Sequence, residues 1–425
     1  MKKKITLFMV TTLLLCYSCI KPIKEGDKII TVPVYGQSLA LGEEANLVTD
    51  FDGLEEKYNH RIRTENLDEN FGYFSNTIFK QQVKHWVHDH RRTFEVSCYG
   101  MAEYIVSEWK ETPSDNNLIF CTFPEGQGSS GIDAFEKGTS SYKKLMKEIR
   151  NAYDVAKDNG CAFIVPAFCW LQGENDLVWN TGSDYKRKLI RLRNDFEKEV
   201  KEITHQKEDV KCILYQTSCL SISEDTFKMN EYDCRQTIVP QAQMELVRDD
   251  KYFVASGPTY PYSTEREYVH LDGVSQKKMG YLEGISLSKL LKNKKHSGLI
   301  PKQTIVHNDT IIISFNIPCP PIVLDTIEVA KVNGYGFSVI TPNNQNILKN
   351  VLLRNDQIYL VCSETPRKAK VRYAVNGTYW KCGNKQGSRG NLRDSQGDFY
   401  KCNIKNKTYR IDNWCYMFDC ICSDQ

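Results

Sequence analysis

One serine stands where an open α/β sheet would place its chemistry. Residues 32–35 are typical of the end of a buried strand, and Gly36-Gln37-Ser38 follow it directly. Turns after the strands of such a sheet converge on one crevice, where ligands bind. Ser38 is therefore either a nucleophile or an ordinary turn residue, and a nucleophile requires a base and an orienting group elsewhere in the chain.

His270 is the histidine best placed to act as that base. It lies in the stretch "EREYVHLDGVSQKKMG", which reads as the loop between the last strand and the last helix of the α/β region. The other seven histidines fall in irregular, helix-terminal or C-terminal segments: His60, His85, His88, His90, His205, His296 and His307. Glu267 precedes His270 by three residues and Asp272 follows it by two, so either carboxylate could orient the imidazole.

Two further loops offer hydrogen-bond donors for an oxyanion. Gly128, in "PEGQGSSG", could present a backbone N–H with no side chain in the way. Gln172 and Asn175, in "WLQGENDL", carry side-chain amides. Each loop follows a predicted strand of the same sheet, which is where acyl-transfer chemistry needs its donors.

The hydrophobic pattern predicts two structural regions. Between residues 29 and 295, continuous apolar runs alternate with amphipathic helical stretches, which favours a mostly parallel sheet covered on both faces. From residue 300 to 425, alternating segments flank three turn signals, Asn308-Asp309, Asn355-Asp356 and Asn376-Gly377, which predict β-hairpins. We therefore expect an α/β domain followed by a smaller β-rich domain.

Four sequence blocks, taken together, resemble the SGNH (GDSL-like) hydrolases. Gly36-Gln37-Ser38, Gly128, Gln172-Gly173-Glu174 and Glu267-x-x-His270 occur in that family's order, over roughly residues 29–290. The blocks are most similar to those of the sialate O-acetylesterase-like carbohydrate esterases, which implies a three-layer α/β/α fold.

The resemblance also implies roles for these residues. Ser38 would be the nucleophile, His270 the base and Glu267 its acid. The N–H groups of Ser38 and Gly128 would line the oxyanion hole with an amide of the third block, Gln172 or alternatively Asn175. Two residues depart from the usual pattern: Leu39 follows the serine in place of asparagine, and Glu267 replaces the usual aspartate.

The N-terminus resembles an export signal. Three lysines precede an apolar run, Ile5–Leu15, that is too short to span a membrane. Residues 15–19, "LCYSC", resemble a bacterial lipobox, which predicts a signal peptide at 1–18, lipidation of Cys19 and a linker at 19–28. An ordinary cleaved signal peptide is the alternative, and either places the protein outside the cytosol, at the cell surface or in the periplasm.

Charge and cysteine content exclude some functions. The three lysines of residues 1–18 account for the whole formal charge of +3, so the remaining chain lacks the basic excess of a nucleic-acid binder. Of the 16 cysteines, Cys161, Cys169, Cys212 and Cys362 lie in apolar, strand-like runs and are expected to be small buried residues. Neither the C-terminal cysteines nor the "HWVHDH" histidines fit a zinc pattern, so we predict no metal and no cofactor.

The predicted function is removal of O-acetyl groups from carbohydrates. Export brings the enzyme to glycans, and the loops near the predicted site carry polar and aromatic residues suited to sugars: Gln127, Ser129, Ser130, Trp170, Glu174, Asn175, Tyr260 and Tyr262. Arg389 and Arg393 either reach an acidic sugar or lie in a surface loop. The rival interpretations are an α/β-hydrolase, and a glycan-binding lipoprotein without esterase activity.

Overall fold

The structure is a computed structural model of the 425-residue chain. It describes residues 23–50, 61–63, 94–110, 117–179, 181–218, 235–266, 268–376 and 381–421. The signal segment with Cys19, the histidine cluster at 85–90 and Glu267 lie outside these ranges, so the predictions made for them stay predictions. Within the described ranges, no helix has both the length and the apolar character needed to cross a bilayer.

The α/β region is built on parallel strands. Their bounds are β1 (Lys28–Thr31), β2 (Val34–Gly36), β3 (Ile62–Arg63), β4 (Leu118–Cys121), β5 (Pro124–Gly126), β6 (Ala162–Ile164), β7 (Ala167–Leu171), β8 (Lys211–Gln216) and β9 (Phe253–Pro258). They pair in two sheets, ordered β3-β4-β1-β6 and β5-β2-β7-β8-β9. Backbone hydrogen bonds continue across the short break between β1 and β2, since Val32 and Val34 donate to Cys121 and Phe123. The two sheets therefore form one surface whose carboxyl ends face the same way.

Helices cover both faces of this surface. They are α1 (Ser97–Lys110), α2 (Ser140–Asp158), α3 (Glu174–Val178), α4 (Tyr185–Thr204), α5 (Ile238–Asp249) and α6 (Gly273–Leu291). Side chains of β7 alternate between two cores: Cys169 and Leu171 pack toward α1 and α6, whereas Phe168 and Trp170 pack toward α2, α4 and α5. Burial on both faces explains the continuous apolar runs of the sequence. The predicted three-layer α/β/α fold is confirmed.

The C-terminal region consists mainly of antiparallel strands. They are β10 (Ile300–His307), β11 (Thr310–Asn316), β12 (Val323–Leu324), β13 (Phe337–Ile340), β14 (Leu348–Arg354), β15 (Gln357–Cys362), β16 (Lys370–Tyr373), β17 (Leu392–Arg393), β18 (Lys401–Ile404), β19 (Lys407–Arg410) and β20 (Phe418–Ile421), with one short helix, α7 (Gly383–Gln386). The hairpins β10-β11 and β14-β15 turn at the predicted Asn308-Asp309 and Asn355-Asp356. Asn355 and Asp356 both have positive φ, which matches the twist of two-residue hairpins.

The third predicted hairpin stays a prediction, because residues 377–380 lie outside the described residues. The strand before it, β16, pairs with β13 on one side and with β20 on the other. The Asn376 side chain forms two hydrogen bonds with the backbone of Arg389. An Asn-Gly pair indicates a turn, but it does not determine which strand pairs with the residues beyond the turn.

Arg389 and Arg393 serve the fold. The Arg389 guanidinium donates to the backbone carbonyls of Ala330, Lys331 and Gly387. Arg393 forms ion pairs with Asp325 and Asp412. Neither group is left to bind an acidic sugar.

The cysteines of the described residues are all reduced. Cys169, Cys212 and Cys362 are buried as predicted, whereas Cys161 is partly exposed. Among the residues that the structure describes, no cluster of three or more His, Cys, Asp or Glu side chains could hold a metal ion.

The C-terminal region shares a core with the α/β region. Met244, Ala255 and Tyr260 pack among side chains of the β-rich part. The buried Gln216 amide both donates to and accepts from the backbone of Met417, at 2.9 and 2.7 Å. Buried polar groups paired in this way fix the relative placement of the two parts, because breaking the pair would leave both unsatisfied.

Candidate active site

A tight turn after β2 presents Ser38. A Cβ atom on Gly36 would lie 2.1 Å from the Leu171 carbonyl oxygen, so only glycine lets this strand end approach β7 so closely. Gln37 N–H then donates to the same Leu171 oxygen at 3.0 Å. Leu39, the next residue, lies in the core and is 1% exposed. The turn thus holds Ser38 between two anchored neighbours.

His270 bridges Ser38 and a carboxylate. Its Nε2 atom lies 2.9 Å from Ser38 Oγ, and its Nδ1 atom lies 3.0 Å from Oε2 of Glu44. When Nδ1–H donates to Glu44, Nε2 is left as an acceptor for the serine hydroxyl. This is the arrangement in which a serine can be deprotonated as it attacks.

Glu44 was not among the sequence candidates. It lies only six residues after Ser38, in "GQSLALGEEA", and the same turn that carries the serine brings it back to the histidine. Its second oxygen pairs with Arg266 at 3.3 Å, and its φ is +67°, an uncommon value for a side chain other than glycine, asparagine or aspartate. Strained backbone of this kind concentrates at functional sites. The double glutamate after the serine is the only local signal that could have indicated it.

The structure bears differently on the two carboxylates, Glu267 and Asp272, that the sequence offered as partners of His270. Asp272 caps α6, because its side chain accepts from Ser275 N–H at 2.7 Å, and it forms no bond with His270. Glu267 lies outside the described residues, and its predicted role is untested. Glu44 is the carboxylate that the described residues place on His270 Nδ1.

Gln172 is not available as an oxyanion donor. Its buried amide nitrogen donates to the Ser130 carbonyl at 3.1 Å and to Asp176 at 2.6 Å, which uses both hydrogens. Asn175, the alternative, is half-buried, and its side-chain amide forms no hydrogen bond to the described part of the chain. Asn175 is therefore the better amide candidate.

Two backbone donors remain near Ser38. Neither Ser38 N–H nor Gly128 N–H donates to an acceptor among the described residues. Gly128 lies beside the serine turn, since a Cβ atom placed on it would be 3.2 Å from a carboxylate oxygen of Glu43. The loop of Gly128 is anchored by a hydrogen bond from Ile132 N–H to the buried Asp176 carboxylate, at 2.9 Å.

A buried acid completes the surroundings of His270. Glu174 accepts a 2.6 Å hydrogen bond from the hydroxyl of Tyr215. Burial raises the pKa of the Glu174 carboxyl, and the nearby charge of His270 opposes this with a smaller lowering effect. Gln37 links this part to the serine turn, because its side-chain oxygen accepts from the N–H groups of Gly173 and Asn175 at 3.5 and 3.4 Å.

The aromatic residues expected to contact sugar are largely buried. Trp170, Tyr260 and Tyr262 are at most 5% exposed and lie in the cores. An exposed aromatic residue close to the third block is Trp179, which is 66% exposed and directly follows α3. It stands four residues after Asn175 and thus on the same helix face.

Fold and family comparison agree on the class. The three-layer α/β/α fold is of the SGNH-hydrolase type. A family model for carbohydrate esterases described as sialic acid-specific acetylesterases matches residues 79–283. This region, a little under half of the chain, is similar to that family, and the similarity supports carboxylic ester hydrolase activity. The matched range includes Gly128, the Gln172 block and His270 but not Ser38, so Ser38 is connected to the family blocks by its contact with His270.

Three solved structures are similar to this chain, and the first of them shares its fold. XAC1771 from Xanthomonas citri, described as a carbohydrate acetylesterase, is 10% identical with a TM-score of 0.56, and the match covers 93% of this chain and 80% of that one. NanS is 14% identical with a TM-score of 0.43, over 64% of this chain and 99% of that one. A protein from Arabidopsis thaliana is 16% identical with a TM-score of 0.42, over 64% and 100%. No curated protein matches the chain in sequence.

The geometry predicts that Glu44 orients His270. Glu44→Gln should lower kcat for a small ester by about 10²- to 10⁴-fold, because a neutral amide no longer stabilises the imidazolium or holds its tautomer. Glu267→Gln is the matched control and should lower kcat less than tenfold. Steady-state kinetics on p-nitrophenyl acetate measure both. The opposite ranking would return the acid to Glu267.

Proposed function

We propose that the protein is a serine esterase that removes O-acetyl groups from carbohydrates. The observation that carries the mechanism is the pair of contacts of His270, 2.9 Å to Ser38 Oγ and 3.0 Å to Glu44. The family match of residues 79–283 supports the substrate class.

The reaction proceeds through an acetyl-enzyme. Ser38 Oγ attacks the acetyl carbonyl while its proton passes to His270 Nε2. The resulting oxyanion accepts hydrogen bonds from Ser38 N–H, Gly128 N–H and the Asn175 amide. Collapse breaks the ester bond, and the leaving sugar oxygen takes the proton from His270. A water molecule, deprotonated by His270, then attacks the acetyl carbon. The bond from that carbon to Ser38 Oγ breaks, Ser38 takes the proton back from His270, and acetate leaves.

The surroundings of Ser38 support a sugar as the alcohol part of the ester. Gln127 and Ser129 are exposed beside Gly128 and offer polar groups to hydroxyls. Trp179 presents an indole on the same helix face as Asn175, and aromatic rings with an apolar face suit the C–H face of a pyranose. These residues replace the buried aromatics named from the sequence.

Replacing Ser38 or His270 tests the mechanism. Ser38→Ala and His270→Ala should each lower hydrolysis of p-nitrophenyl acetate by at least about 10³-fold, since triad members act as a unit. Thermal unfolding should remain cooperative in both variants. A Ser38→Ala enzyme that keeps a tenth of wild-type turnover would refute the mechanism. A wild-type protein that binds acetylated glycans without releasing acetate would instead support the binding-protein alternative.

Acyl-chain length tests the acetyl preference. Turnover should fall steeply from acetyl to butyryl to octanoyl esters, because a small acyl pocket discriminates by about 1–3 kcal/mol per methylene. The p-nitrophenyl ester series measures this under one set of conditions. Cleavage of octanoyl esters as fast as acetyl esters would leave only a general serine esterase.

We also propose that the protein is exported and held at a membrane by a lipid on Cys19. The support is the lipobox-like "LCYSC" after an apolar segment. Cys19→Ala should move the protein from the membrane fraction to the soluble fraction, measured by fractionation and immunoblotting, whereas Cys161→Ala should not. Membrane retention of the Cys19→Ala protein would point to another anchor.

A further inference from the structure

His270 lies on a loop that is closed at its base. Ser263 accepts a backbone hydrogen bond from Asp272 N–H at 3.1 Å, and Glu265 N–H donates to the His270 carbonyl at 3.1 Å. Thr264 and Leu271 form an antiparallel bridge between these two bonds. The position of the imidazole therefore depends on where the segment at 262–264 lies.

The β-rich region holds the outer side of this segment. Asn384 N–H, in α7, donates to the Tyr262 carbonyl at 3.0 Å, and the Ser263 hydroxyl donates to the Asn384 side-chain oxygen at 3.4 Å. Gly383 has a φ of +85°, and a Cβ atom on it would lie 3.0 Å from the Tyr262 carbonyl oxygen. The close approach of the two backbones thus favours glycine here.

Asn384 also forms hydrogen bonds within the β-rich region. Its side-chain nitrogen donates to the Glu328 carbonyl at 2.9 Å, and its carbonyl accepts from Ala330 N–H at 2.9 Å. One asparagine therefore joins the base of the His270 loop to the framework of the β-rich region.

The neighbouring residue lies against the catalytic surroundings. Cys382 is 8% exposed, and its thiol pKa is raised to about 12 by burial and by the charge of Glu174. The ring of Tyr268, in the same loop, lies 6.1 Å from that of His270. Residues 382–384 therefore form part of the wall behind the His270 loop.

We propose that Asn384 is a positioning residue for catalysis, acting through the His270 loop without contacting substrate. The inference rests on the proposed function, because it assigns His270 as the base. It makes the β-rich region a part of the catalytic unit rather than an appendage. A shift of even 1 Å in the loop would misalign Nε2 from Ser38 Oγ, and misplacement on that scale costs about 10²-fold in rate.

The test compares two asparagines of the same region. Asn384→Ala removes the contacts with Ser263 and Glu328, whereas Asn376→Ala removes two similar bonds to the backbone of Arg389, away from the loop. Kinetics on p-nitrophenyl acetate and thermal unfolding are measured for both full-length variants. We expect Asn384→Ala to lower kcat by about 10- to 100-fold with KM changed less than threefold, and Asn376→Ala to leave kcat within twofold of wild type.

Ser263→Ala provides a second measurement that does not depend on how well Asn384→Ala folds. It removes only a hydroxyl from a partly exposed residue and should lower kcat by about threefold or more. If both variants fold, the double variant should lose less than the product of the two single losses, because both remove the same contact. A purely structural role predicts no such coupling in kcat.

Two outcomes would overturn the inference. One is wild-type kcat in Ser263→Ala and Asn384→Ala, and the other is an equal loss of kcat in Asn376→Ala. Wild type and Ser38→Ala are assayed alongside. If Ser38→Ala is as active as wild type, the proposed function fails. If activity requires Ser38 but Asn384→Ala is normal, only the role of Asn384 fails.

Discussion

The site depends on one imidazole that must reach two partners at once. His270 contacts Ser38 on one ring nitrogen and Glu44 on the other, at 2.9 and 3.0 Å. Both partners belong to one short turn, so a single displacement of the histidine loop would weaken both bonds together. The catalytic geometry is thus a relation between two loops, and the rest of the fold serves to keep those loops in place.

The parallel sheet provides the first part of that support. The strands before Ser38 and before His270 end at the same edge, and both faces of the sheet are buried by helices. Close packing of this kind resists small movements of the strand ends. The close contact of Gly36 with Leu171 transmits the rigidity of β7 to the serine turn.

Buried polar bonds provide the second part. Asp176 binds Gln172 and the loop of Gly128, and Gln37 binds the backbone of the third block. Such bonds are strong in a region that water does not enter, and they specify one arrangement of the loops. The Gln172 side chain, which the sequence suggested as an oxyanion donor, therefore stabilises the loops of the site instead. The Asn175 side-chain amide remains available as a hydrogen-bond donor.

The sequence by itself predicted most of the elements and the pairing of Ser38 with His270. Apolar runs of period and length typical of buried strands predicted the sheet, and the short turns after them predicted Ser38, His270 and Gly128 as neighbours. These inferences succeed because strand burial and loop position follow from local pattern. Two Asn-Asp turns likewise predicted their hairpins, since the turn residues and the strands they join are adjacent in the chain.

Only the tertiary structure decided which carboxylate, amide and aromatic side chains face the site. Glu44 reaches His270 because the serine turn folds back with a positive φ, which no spacing rule indicates. Gln172 and Trp170 are fully buried although they lie at the end of β7 beside the loops of the site, because side-chain orientation depends on packing with distant residues. The contact of Asn384 with Tyr262 joins two regions far apart in sequence, and such contacts leave no local pattern to read.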